Sequence, residues 1–319
     1  MKRQALSFQA IKTSAFLERQ PEVDEKNFSA PYHAGGSFMD FFYSLSNLGS
    51  SKNLCALRDT LVQTHQQKKP IILGLNEQAI ETGMSPFFIH LMEQRLISSL
   101  AMTAQAMLQD VEIALCGHTC SLQEHREQSD NEVRLTTEAG ALIHGAINQD
   151  DASELGLAQR VGQALLNSEA SHLDHSLLAV ATRYHIPLTV HPAVGADSFM
   201  LHPEAKGDAL GSCSFEDFRR LAALLAQSSN GVVINLASSV ILPRIFSHAL
   251  DAARNLGHDV SDLHLLMIDT TKTASVKNMR HCFETCSGQA TYLPGPSEVL
   301  LPLLFASVLE ALNDAFDEC

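Results

Sequence analysis

Apolar positions along this chain follow two periods that alternate. Phe38, Phe41, Phe42, Leu45 and Leu48 recur at helical spacing, and residues 53–66 continue as a second amphipathic helix. PIILGL (70–75), entered through Lys68-Lys69-Pro70 and left at Asn76, is apolar without alternation, the pattern of a strand buried on both faces. SPFFIHLMEQ (85–94) predicts a helix with Ser85 as N-cap and Pro86 at the first helical position. SSLAMT (98–103) then closes a βαβ unit. DVEIALCG (110–117) satisfies a helix or a strand, because a short apolar run does not decide between them. Helices are expected over 136–148, 154–167 and 175–184, and IPLTVHPAVG (186–195) reads as a strand. FEDFRRLAALLAQ (215–227) reads as a helix capped by Ser214, GVVINL (231–236) as a strand, and 243–257 as a helix ended by Gly257. LHLLMIDT (263–270) and ATYL (290–293) are the last strands before the helix EVLLPLLFASVLEALND (298–314). Strands alternating with helices predict an α/β fold, a mostly parallel sheet with helices on both faces. The first residues are polar and broken by Pro21 and Pro31, so 1–37 reads as an N-terminal arm and 38–319 as one domain.

Composition narrows the function classes. Among 319 residues, 45% are hydrophobic and 18% charged, which excludes a disordered or collagen-like chain. Twenty-two basic residues against 36 acidic ones give a net charge of −14, which argues against nucleic-acid and membrane-surface binding and favours a cationic ligand. Seven cysteines, an odd number, fit reduced thiols in a cytoplasmic protein. The charged start MKRQALSFQAIKTSAFLERQPEVDEK reaches neither signal-peptide nor membrane-span length.

The common chemical signatures are missing: no GxGxxG follows a strand, and there is no Walker A, HExxH, GxSxG or CxxC. Cys116, His118 and Cys120, and the Cys282/Cys286 pair, match no usual zinc spacing, so no metal is expected. Polar residues gather instead at the carboxyl ends of the strands, where open parallel sheets bind ligands. They are Asn76 and Glu77, Thr103 and Gln105, His191 and Asp197, Asn235 with Ser238 and Ser239, Asp269 to Lys272, and Pro294 to Glu298. Any one of these is ordinarily a cap or loop residue; the set points to a crevice for a small molecule or dinucleotide. His191 and His202 lie in the densest polar loop, as a base, as a metal ligand or as loop-ordering groups. Lys272 and Lys277 are the candidate amine nucleophiles.

Three stretches carry a resemblance: 81–115, 186–211 and 235–258, with EVLLPLLFASVL (298–309) adding the closing helix. Over roughly 35–310 the chain resembles the deoxyhypusine synthase family, and more closely its bacterial deoxyhypusine synthase-like branch. That resemblance implies a Rossmann-like NAD-binding fold, an amine or polyamine-like substrate, and a homodimer or homotetramer; the closing helix, apolar nearly all round, also fits an interface. The departures fall on chemistry. The imine-forming lysine of the synthases aligns near Phe283, their Thr-Ala-Gly-Gly turn is Thr103-Ala104-Gln105-Ala106, and their catalytic histidine is replaced within Ser238–Pro243. Asp197 matches the family's acidic residue after the central strand. The expected function is therefore an NAD-dependent enzyme acting on an amine or amino-acid-like small molecule, distinct from true deoxyhypusine synthesis. The alternative is an inactive paralogue serving as a binding or assembly subunit. Cofactor contacts are expected from Asn76, Thr103, Asp197, Ser238, Ser239 and Asp269, and acid–base chemistry from His191, Asp110, Glu138 and Glu298.

Overall fold

Each apolar run that lacks polar alternation becomes a buried strand. The computed structural model describes residues 7–20, 22–120, 136–149, 154–236, 241–269 and 288–317. In chain order its elements are α1 (Phe38–Ser44), α2 (Gly49–Gln66), β1 (Ile71–Leu75), α3 (Glu77–Glu81), α4 (Ser85–Glu93), β2 (Ser99–Thr103) and α5 (Ala104–Cys116). There follow α6 (Thr137–Ile147), α7 (Leu157–Leu166), α8 (Leu177–Arg183), β3 (Leu188–His191), α9 (Gly207–Ala226) and β4 (Val232–Leu236). The last are α10 (Ile241–Asn255), β5 (His264–Asp269), β6 (Ala290–Pro294) and α11 (Ser297–Asp317). Contacts divide the chain into two units, Met1–Lys52 and Asn53–Cys319. In the first, Ser37 and Asp40 form a reciprocal capping box that starts α1.

All six strands lie in the second unit and pair in parallel in the order β3-β2-β1-β4-β5-β6. This is the order of a doubly wound Rossmann-like sheet, and the strand order reverses between β1 and β4. Register then fixes which residues share a face. Gly74 aligns with Ala101 and Asn235, Ala101 with Thr189, Thr103 with His191, and Asn235 with Met267. Ile72, Ala101, Val233 and Met267 pack in one core cluster with Leu221 and Leu225 of α9 and Phe246 and Leu250 of α10. Gly74 is glycine for a packing reason: a Cβ there would lie 2.7 Å from Cε2 of Phe246. Full burial of a side chain like Phe246 contributes about 1.5–3 kcal/mol.

Several local expectations change. Residues 104–116 are helical, which settles the 110–117 ambiguity. Ser85 is the first residue of α4, with Met84 as N-cap, and the buried Ser85 hydroxyl has no partner among the described residues. Ser214 lies inside α9, its hydroxyl donating to the Leu210 carbonyl, because the apolar series Leu210, Cys213, Leu221, Leu225 carries the helix back to Gly207. β3 stops at His191 because Pro192 has no N–H to continue the ladder.

Candidate functional site

The carboxyl ends of the strands bring polar side chains into one row. Alternation from the registered pairs puts Thr103, His191, Asn235, Asp269 and Tyr292 on the face of the sheet covered by α9 and α10. Thr103 ends β2 and starts α5 directly. Its hydroxyl accepts from the Ala106 N–H at 3.3 Å and donates to the Glu77 carboxylate at 3.1 Å. His191 is buried, its Nε2 lies 3.0 Å from Thr189 Oγ1, and burial pushes its pKa down to about 3. It is therefore a neutral imidazole at physiological pH, suited to hydrogen bonding rather than to holding a proton. Asp197 follows β3 through a turn that needs Gly195 at φ +82°, and its carboxylate accepts the Ala193 N–H at 2.6 Å. Burial raises the Asp197 pKa, and the neighbouring Glu77 charge raises it further. The Glu77 charge acting on Asp197 makes this a locally anionic place, suited to a cation. Ser198 donates to Gln105 at 3.2 Å, tying the same loop to the start of α5.

On the other half of the sheet, Asp269 ends β5, and its carbonyl accepts from the Tyr292 hydroxyl at 2.9 Å and the Gly295 N–H at 3.1 Å. Burial, and then the Asp269 charge, raise the Tyr292 pKa. Asn235 is 2% exposed, and its Oδ1 has no hydrogen-bond partner among the described residues. Glu298, in the first turn of α11, likewise buries Oε2 without a partner. A buried oxygen acceptor left unmatched costs about 1–3 kcal/mol, so both positions favour a ligand that donates. Asn76 is buried at the end of β1 and N-caps α3 by position. Ser238, Ser239, Lys272 and Lys277 lie outside the described residues.

Two expected acid–base residues are not brought to this row. Asp110 is completely buried in α5 and accepts from Ser176 Oγ at 2.6 Å and from the Leu177 and Leu178 N–H groups at 2.7 and 3.0 Å. Burial raises its pKa to about 6, and all three donors belong to the start of α8, which it anchors. Glu138 is exposed in the first turn of α6, beyond the end of α5, near the Cys120 thiol, whose pKa is raised first by burial, then by Glu112 and Cys116, and least by Glu138. Sequence reasoning missed a second buried carboxylate. Asp217 Oδ2 accepts from Ala158 N at 2.9 Å and Val190 N at 2.8 Å, joining α9 to α7 and β3, and burial raises its pKa to about 7. Its signal was present: Asp217 falls on the apolar stripe Cys213, Leu221, Leu225, just as Asp110 falls on the stripe Met107, Val111, Ala114. Near the zinc-like spacing, His118 Nδ1 contacts the Cys116 carbonyl and the Cys120 N–H donates to Glu112. No metal-holding group of three ligands occurs among the described residues.

A dinucleotide fits this edge in part. The turn after β1 carries Asn76 and Glu77 where a phosphate cradle uses glycines, and α5 begins at once after Thr103. The partnerless acceptors Asn235 and Glu298 instead suit the hydroxyl- and amide-bearing parts of such a ligand, or an ammonium group.

No protein-family model matches the chain, and no curated protein matches it in sequence. Solved structures match it in fold. The chain is similar to AgrE in a ternary complex with ornithine and NAD+, with a TM-score of 0.54 and 13% identity over 83% of this chain and 34% of that one. A putative deoxyhypusine synthase from Entamoeba histolytica gives a TM-score of 0.50 and 14% identity over 88% of this chain and 95% of that one. A conserved putative LOR/SDH protein from Methanococcus maripaludis S2 aligns at a TM-score of 0.48 and 15% identity over 82% and 67%. The chain thus spans about a third of the length of AgrE. At these identities the likeness to AgrE and to the Entamoeba histolytica protein establishes the fold alone, a Rossmann-like α/β sheet. Among the described residues no helix is long and apolar enough to cross a membrane.

Proposed function

We propose that the carboxyl edge of the sheet is the site of an NAD-dependent enzyme acting on an amine or amino-acid-like small molecule, and not on a deoxyhypusine acceptor. The observation that carries this reading is the proximity of the Glu77 and Asp197 carboxylates, which follow β1 and β3, with further acceptors at Asn235 and Glu298. An anionic, acceptor-lined edge suits a substrate that brings N–H donors and positive charge. The fold neighbour in complex with ornithine and NAD+ supports the same pairing of ligands.

Bound NAD supplies a hydride acceptor. The chain's own residues then have three tasks. Glu77 and Asp197 hold the substrate ammonium, and Thr103, donating to Glu77, orients that carboxylate. Asp197, its proton affinity raised by burial, takes the proton that the amine must lose before a hydride can leave the adjacent carbon. Neutral His191 and Asn235 hydrogen-bond without adding charge, and Asn76 and Asp269 flank them at the ends of β1 and β5.

A second reading is favoured by one observation. At the position of the family's glycine turn, Gln105 sits in α5 and is engaged by Ser198, which removes a place of close backbone approach. In that reading the chain keeps the fold as a binding or assembly subunit. Melting curves with NAD, NADP and neither separate the two. Cofactor binding stabilises by about 2.7 kcal/mol at a hundredfold excess over Kd. NADH absorbance with ornithine, arginine, putrescine and spermidine then identifies the substrate class. No shift with either cofactor would favour the subunit reading.

A further inference from the structure

The amino edge of the sheet, opposite the strand ends discussed above, is built for an anion. Four of the connections entering strands there close their helices with the same pair of hydrogen bonds. After α2, Lys68 N donates to the His65 carbonyl and Lys69 N to the Thr64 carbonyl, both at 2.9 Å. After α4, Arg95 N donates to Met92 and Leu96 N to Leu91, again at 2.9 Å. α8 and α10 end in the same way, with His185 donating to Thr182 and Ile186 to Ala181, and with Gly257 donating to Arg254 and His258 to Ala253. This helix stop places its turning residue in the left-handed region, where glycine has no steric cost. Gly257 obeys that rule, but the equivalent residues ahead of β1, β2 and β3 are Lys68 at φ 55°, Arg95 at φ 56° and His185 at φ 56°. At Lys68 and Arg95, long cationic side chains are thus held where the backbone favours none.

Lys68 and Arg95 line a cavity of about 1010 Å³ together with Lys69 and His65. None of its described lining residues is acidic, in a chain of net charge −14. Lys68, Lys69 and Arg95 make no ion pair among the described residues. Ser99, first residue of β2, also lines the cavity; it is 1% exposed, and its buried Oγ has no hydrogen-bond partner among the described residues. Register pairs Ser99 with Ile72, on the face that α9 covers. Ile72, Leu224 and Leu312 give the cavity apolar walls, and the carboxamides of Gln66 and Gln227 stand at it.

We propose that this cavity binds a nucleoside phosphate, at a site separate from the carboxyl edge. An arginine fork and two lysines fit phosphate oxygens. Apolar walls with carboxamides fit a heteroaromatic base, and the volume is at the upper end for small-molecule sites. The proposal stands independently of the enzymatic reading, because its residues lie at the opposite ends of the strands. A role limited to helix-end electrostatics would also place Lys and Arg here, but it needs no cavity and no partnerless serine.

The test is equilibrium dialysis of the full chain with radiolabelled ADP, with inorganic phosphate and adenosine as separate probes. ADP is expected to bind more tightly than either, and less tightly as salt rises. Lys68→Gly with Arg95→Gly keeps the backbone geometry and should weaken ADP binding by about tenfold or more. Ser99→Ala should weaken it by a smaller factor, with a melting temperature of the free chain no lower than wild type. The NAD-dependent melting shift should survive in the double variant, which keeps this outcome distinct from failure of the carboxyl-edge reading. ADP binding that is absent, or that is equal in wild type and the double variant, overturns the proposal.

Discussion

The two edges of one sheet carry opposite charge, and they treat it differently. At the carboxyl edge two carboxylates are engaged, Glu77 accepting from Thr103 and Asp197 from the Ala193 N–H, while Glu298 Oε2 has no partner among the described residues. At the amino edge Lys68, Lys69 and Arg95 line a cavity with no carboxylate among its described residues. Helix dipoles favour acids at the first edge and bases at the second, since the helices antiparallel to the strands start above one and end above the other. Dipoles therefore explain the signs but not the difference in pairing. Satisfied carboxylates are preorganised and wait for a cation; unpaired cations gathered at a cavity are a binding capacity in themselves. Hydrogen bonds to the neighbouring backbone mark a built edge, and left-handed backbone at Lys68 and Arg95 marks a constrained one.

The largest expected effect tests what belongs to neither edge. Asp110→Ala leaves Ser176 Oγ and two buried N–H groups at the start of α8 without their acceptor. Urea melts should show a loss of about 3 kcal/mol or more, with far-UV circular dichroism reporting weakened helix. A variant of wild-type stability that has lost only turnover would move Asp110 into the chemistry of the carboxyl edge.

Next comes the edge selectivity itself. Glu77→Gln with Asp197→Asn removes both charges while keeping acceptors for Thr103 and Ala193. Binding of a cationic amino acid should fall about tenfold or more, measured by calorimetry, whereas ADP binding should not change. An equal loss of both ligands would mean that the two edges are one coupled site.

How much of this was legible in the sequence depends on the distance between partners. The parallel sheet follows from apolar runs, and strand-end logic located Asn76, Thr103, His191, Asp197 and Asp269 because those residues need only their own strand's ending. Strand order is a tertiary fact, so the row on one face could not be read. Asp110 looked like an acid near a strand end because its donors lie 66 to 68 residues away. Lys68 and Lys69 read only as the entry to β1, and Arg95 carried no signal; left-handed backbone at a lysine is invisible to periodicity.

A smaller effect concerns Asp217, whose pKa is raised from 3.8 to about 7 by burial. A carboxyl raised on folding contributes its full stability below the unfolded value and loses it as pH climbs through the folded value. The burden of Asp217 thus grows between pH 3.8 and about 7 and is complete above that. Asp217→Asn should match wild type near the lower limit and melt higher above the upper one. Buried His191 acts in the opposite sense, its contribution falling as pH drops from 6.5 toward about 3, but it is common to both proteins and cancels in the difference. Equal melting at every pH would show that the Asp217 carboxylate is compensated by a partner at Oδ1.

The smallest expected effect is the most specific. Lys68→Gly or Arg95→Gly relieves about 1–2 kcal/mol of left-handed strain. Glycine's extra freedom in the unfolded chain removes about 0.5–1 kcal/mol of that gain. The lost cation at a helix C-terminus removes a further 0.3–1 kcal/mol, roughly. These nearly cancel, so each single variant should melt within about 0.5 kcal/mol of wild type. A clear loss of stability would mean that the cations are held by the fold after all, as Asp110 is. The amino edge would then be a structural counterpart of the carboxyl edge, and its cavity a gap between packed elements.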